Sequence, residues 1–161
     1  METRSIKYFL HLYLGCECLF IASGSEERRT EQGVLVEMPF KGTEWGIIHS
    51  EFLPHEVKIY AFVHDIKPIL RPLSDMTEEE KIMLCCLNLT NEWKPGHIIQ
   101  TNDEDIAAMR VFDHKGNYKS LYIPKNKISP SNFLWLLSKH FDLFGLIESG
   151  LAIDKTTLTN K

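Results

Sequence analysis

The sequence predicts an α+β protein: a small N-terminal antiparallel sheet curling toward a barrel, one buried helix, a β-hairpin and a C-terminal helical pair. Three observations carry this reading. Apolar and polar residues alternate in short runs between turn residues through the first 73 positions. Helix-start signatures open at Thr77 and again at Ser129. Between them, two strand-like runs flank Asp113-His-Lys-Gly-Asn117. At 161 residues the chain is read as a single domain over 1–161, β-rich over 5–73, with helix, hairpin and helices over 77–153.

Leu10, Leu12 and Leu14 alternate with His11 and Tyr13, which reads as a half-buried strand, although leucine also favours a short helix. Cys16, Cys18 and Phe20 continue the alternation, and Ser23–Thr30 is a charged loop. Gly33–Met38 is a second strand, ended by Pro39. Lys41-Gly-Thr43 turns the chain into a third strand, Trp45–His49, and Val57–Phe62 is a fourth. Pro68 and Pro72 demote Ile66–Leu73 to an edge strand or an extended connection.

Thr77-Glu-Glu-Glu80 has capping-box spacing, with acids where the helix dipole favours them. The helix is expected to run to about Leu89 and to be largely buried, because apolar residues cover most of its circumference. Trp93–Gly96 reads as a turn or loop, and Asp103–Asp105 as a cap or loop start. Ala108–Phe112 and Tyr118–Ile123 form a hairpin, with Gly116 and Asn117 supplying positive φ. Ser129 caps a helix that opens on Pro130, with Ile128 and Phe133 placed as a hydrophobic staple. Asp142–Gly145 breaks it, a short helix follows over Leu146–Ser149, and Leu151–Ile153 adds an edge strand.

The composition is that of a globular protein: 43% hydrophobic, 25% charged, net charge −4. Residues up to Ser74 and those after it each carry −2, so neither half has the basic excess of a duplex-binding protein. Cys16, Cys18, Cys85 and Cys86 read as reduced thiols, mostly buried, because their spacings suit neither a disulfide framework nor zinc. Arg4 and Lys7 ahead of the apolar run faintly resemble a secretory signal, but the run is short and contains His11, so a buried first element is expected. The sequence contains no run of about 20 uncharged apolar residues, so no membrane partner is expected.

The chemistry-bearing patterns are sparse. No nucleophile elbow and no Gly-rich phosphate loop is present, so no cofactor is implied. The acid clusters Glu78–Glu80 and Asp103–Asp105 read as caps. His49, His55 and His64 make an enzyme site only if two of them converge with a carboxylate. Between Arg110 and Lys127 the net charge is +4, with aromatics interleaved. Arg110, Lys115, Tyr118, Lys119 and Tyr122 are therefore candidate nucleic-acid contacts. The competing expectation is a solvated hairpin with its aromatic face toward the core, since Lys119 falls opposite Tyr118 and Tyr122. Trp45 and Trp93 are candidate partner-binding anchors where they are exposed.

Three phrases, His11–Glu17, Asp65–Glu80 and His140–Asp154, resemble an uncharacterised family of small proteins carried by prophages and mobile elements in gut Bacteroidetes. They total 38 residues, about a quarter of the chain. The resemblance implies a cytoplasmic product of phage-derived DNA and transfers no activity to any residue. The leading expectation is a non-catalytic accessory protein that binds another protein. The runner-up is a nucleic-acid module using hairpin 110–127, decided by whether Tyr118 and Tyr122 face solvent. The third is an enzyme with a non-local site.

Overall fold

The computed structural model describes residues 5–21, 29–38, 44–50, 58–87, 89, 92–100 and 102–158. The chain divides into two compact units, one formed by Met1–Pro72 with Leu137–Lys161 and the other by Leu73–Leu136. Of the sequence expectations, most of the 23–30 loop, Pro39, the 41–43 turn, His55 and Val57 lie outside the described residues.

The first unit opens with two 3-10 turns, Ile6–Tyr8 and Leu10–Leu12, where a strand was expected. The buried residues are Ile6, Leu10 and Tyr13, a helical spacing that prevails over the Leu10-Leu12-Leu14 alternation. Five strands follow: β1 (Glu17–Ile21), β2 (Thr30–Glu37), β3 (Trp45–Ser50), β4 (Ile59–Phe62) and β5 (Ile66–Leu70). With the two-residue β9 (Ile153–Asp154) they form one mixed sheet in the order β4-β3-β2-β1-β5-β9. The expected barrel is absent: among the described residues the sheet is open, with β4 and β9 at its edges.

The proline rule misplaced β5, which lies between β1 and β9 and not at an edge. Ile66, Pro68, Ile69 and Leu70 are all buried. The parallel ladder with β9 uses only Ile69 and Leu70, so Pro68 is not asked for an amide there. Beyond β5, the Arg71 amide donates to the His140 carbonyl (2.9 Å) and the Asp142 amide to the Arg71 carbonyl (2.8 Å). These bonds tie the C-terminal segment to the sheet.

The second unit holds α1 (Glu78–Cys86) and the antiparallel meander β6 (Lys94–Ile98), β7 (Asp105–Phe112) and β8 (Tyr118–Pro124). The Thr77 capping box forms as expected: its hydroxyl accepts from the Glu80 amide (3.2 Å), and the Glu80 carboxylate accepts from the Thr77 amide (3.1 Å). The helix is shorter and less buried than expected. It ends at Cys86; Leu84 and Cys85 are buried, while Met83 and Leu87 face solvent. Ile82 and Cys86 are only partly covered. Lys94–Gly96 is strand, not loop, because β6 is the outer strand of the meander, where Pro95 is tolerated.

The last helix, α2 (Pro130–Ser138), opens as predicted, with the Asn132 amide donating to the Ser129 hydroxyl (3.3 Å). The expected helical partner at 146–149 is a run of turns instead. The Asp142 carboxylate accepts from the amides of Phe144, Leu146 and Ile147 at 2.8–3.2 Å, and so holds a loop where a helix would begin.

A basic-aromatic sheet face as candidate nucleic-acid interface

The meander is built by local rules. Its β7–β8 turn is organised by Asp113, whose carboxylate accepts from the amides of Lys115 and Asn117 and from the Asn117 side chain, each at 2.8 Å. Those bonds, the Asn117 side-chain bond foremost, hold the Asp113 carboxyl below its ordinary pKa. Gly116 takes the positive φ of 83°; Asn117, expected to share that role, does not. The only acid between Arg110 and Lys127 is thus occupied in making the turn.

Register then sets the face. Phe112 pairs with Lys94 on one side and Tyr118 on the other; Arg110 pairs with Ser120, and Ala108 with Tyr122. These residues project to the same side of the sheet, because side chains alternate along each strand. Ala107, Met109 and Val111 project to the other side, against which α1 packs; all three are fully buried, as is the small Ala108 on the aromatic side. Tyr118 is 61% exposed and Tyr122 54% exposed. The expectation that the aromatic face turns toward the core is therefore overturned.

The Arg110 guanidinium lies over the Tyr118 ring at 4.7 Å, and the Phe112 and Tyr118 rings are 6.3 Å apart. Tyr118 and Tyr122, four residues apart on one strand, stand roughly 13 Å apart. That is about four times the rise of one stacked nucleotide step. The two rings can therefore serve bases that are not adjacent, with the Ser120 hydroxyl between them. The rows from Lys94 to Tyr122 contain no carboxylate.

Of the five predicted contacts, Arg110, Tyr118 and Tyr122 share this face, and Lys115 sits exposed at the hairpin tip. Lys119 does not join them: its ammonium lies 4.0 Å from the Trp93 ring on the opposite side. Trp93 is half-buried under that contact, which removes it as an open anchor. Lys94 is a face residue that sequence reasoning missed. Reading Lys94-Pro-Gly as an outer strand, which Pro95 permits, would have found it.

Trp45 belongs to the other unit, is 38% exposed and stacks on Phe62 with ring centroids 3.7 Å apart. Phe62 in turn stacks on His64 at 5.2 Å. His49 pairs with Val34 toward the far end of β3, whereas His64 lies beyond the Trp45–Phe62 pair, so the strands separate the two histidines. Among the described residues no three His, Cys, Asp or Glu side chains gather as a metal site, and no helix is long and apolar enough to cross a membrane. Comparison with protein-family models, with curated proteins and with solved structures finds no match.

Proposed function

We propose that the chain is a non-catalytic single-stranded nucleic-acid-binding module, acting in the cytoplasm for a phage or mobile element. The carrying observation is the pair Tyr118 and Tyr122, both more than half exposed on one sheet face with Arg110 stacked over the first. Aromatic platforms beside cations bind single strands because every base offers a π-face, while the cations meet phosphates. An overall charge of −4 does not oppose this, since the paired rows from Lys94 to Tyr122 carry Lys94 and Arg110 and no carboxylate. The sequence resemblance supplies the setting.

Fluorescence anisotropy of a labelled single-stranded oligonucleotide with the full chain tests the proposal. Saturable binding should weaken about tenfold in each of Tyr118→Ala and Tyr122→Ala, as expected for loss of one stacking platform. Arg110→Ala should weaken binding and reduce the salt slope by about one. Binding by the wild type that is indifferent to all three substitutions would sink the assignment.

A protein-binding role rests on a separate observation, the exposed Trp45 packed on half-buried Phe62, with Tyr60 exposed two residues from Phe62 on the edge strand β4. Trp45→Ala separates the readings: it should leave oligonucleotide affinity unchanged and abolish capture of a protein partner.

A further inference from the structure

We propose that two copies of this chain associate through the outer edges of β8, antiparallel about Ser120, and so join their meanders into one continuous sheet. The inference does not depend on oligonucleotide binding. Among the described residues β8 pairs with β7 alone, so one side of its backbone has no ladder partner. The turn shows which groups stand on that side. The Asp113 amide donates to the Asn117 carbonyl at 2.9 Å, and bonded rows of an antiparallel pair recur at every second residue. Lys119 with Val111, Leu121 with Met109 and Ile123 with Ala107 are therefore the bonded rows. The amides and carbonyls of Tyr118, Ser120 and Tyr122 point away from β7.

Sheet edges are ordinarily guarded against pairing with another chain, and the two edges of this meander differ. β6 carries Lys94 and Pro95 and breaks register between Pro95 and Ile98. β8 is seven residues long, keeps unbroken register with β7 from Tyr118 to Ile123, and has no proline before Pro124. Its one charged side chain, Lys119, is engaged by the Trp93 ring at 4.0 Å.

The sequence of β8 selects a second copy and a single register. Centring the two-fold axis on Ser120 sets Ser120 against Ser120, Tyr118 against Tyr122 and Lys119 against Leu121. Every outward-facing amide then meets an outward-facing carbonyl, and each bonded pair exchanges two hydrogen bonds. A centre at Lys119 would oppose two lysines, and a centre at Leu121 would oppose Tyr118 with Pro124, which has no amide. The Ser120 centre avoids both. Opposed residues point to the same side of a sheet, so Tyr118 of one copy meets Tyr122 of the other on the exposed aromatic face. Pairing over one strand buries little surface, so the association is weak and concentration-dependent.

Sedimentation velocity of the full chain over a concentration series, without nucleic acid, tests this. A reversible dimer with a Kd of about 100 µM is expected. Ser120 makes no backbone bond to β7, so Ser120→Lys and Ser120→Glu should keep the wild-type circular dichroism. Each should weaken the dimer at least about tenfold by opposing like charges, and mixing the two variants should restore association as a heterodimer. Hydrogen exchange gives a second readout. Protection of the Tyr118, Ser120 and Tyr122 amides should rise with protein concentration, while the Lys119, Leu121 and Ile123 amides are protected throughout. A chain that stays monomeric up to about 500 µM would overturn the pairing. So would a dimer that Ser120→Lys leaves intact, or folded Ser120→Lys and Ser120→Glu variants that fail to associate when mixed.

Discussion

Tyr13 shows how one side chain joins distant parts of the first unit. Its phenol is fully buried, donates to the Phe141 carbonyl at 3.2 Å and accepts from the Leu143 amide at 3.3 Å. Burial pushes its pKa above the ordinary range. Tyr13→Phe keeps the ring and strands both backbone groups, so equilibrium unfolding should show a loss of about 1–3 kcal/mol. The cysteines obey the same physics. Burial pushes Cys16 and Cys18 up to about 12 and Cys85 to about 11, whereas Cys86 is only partly covered. Mass spectrometry after iodoacetamide at pH 8 should find Cys86 modified first, and Cys16 and Cys18 only on unfolding. The sign of the pH effect follows. The unfolded thiols ionise near their ordinary value while the buried ones stay protonated, so this stabilisation is intact below about pH 8.5. It is lost as pH rises toward the folded values, and the urea midpoint should fall between about pH 8.5 and 10.5. The burial of Cys16 and Cys18 was legible from their alternation; the Tyr13 contacts were not, because they span about 130 residues of sequence.

At the scale of elements, local chemistry was readable and partners were not. The Thr77 capping box, the Ser129-Pro130 helix start and the Asp113–Asn117 turn rest on bonds within five residues, and each forms near its predicted position. The place of β5 depends on β9, which returns from more than 80 residues away, so its prolines suggested an edge it does not occupy. Periodicity also tells which residues share a face but not which face is covered. It grouped Tyr118 with Tyr122 and separated them from Lys119, yet gave no ground for turning the aromatic side outward. The meander itself depends on one close approach: a Cβ on Gly96 would collide with the Arg110 carbonyl and lie 2.6 Å from the Phe112 ring. Gly96→Ala should therefore force β6 away from β7, cost about 1–3 kcal/mol in urea unfolding, and weaken oligonucleotide binding by displacing Lys94 and Phe112.

Across the molecule, a net charge of −4 concealed the basic-aromatic sheet face, because whole-chain charge averages over patches that strand register assembles. That face was half legible, since its aromatics lie within one hairpin, whereas Lys94 joins it only through the β6–β7 register. Binding of single-stranded nucleic acid by Tyr118, Tyr122 and Arg110 is tested by an amide chemical-shift titration of the full chain with a single-stranded oligonucleotide. Saturable shifts are expected, centred on 94–96, 108–112 and 118–122, with α1 largely unmoved. No shifts, or shifts confined to residues outside the meander, would contradict it.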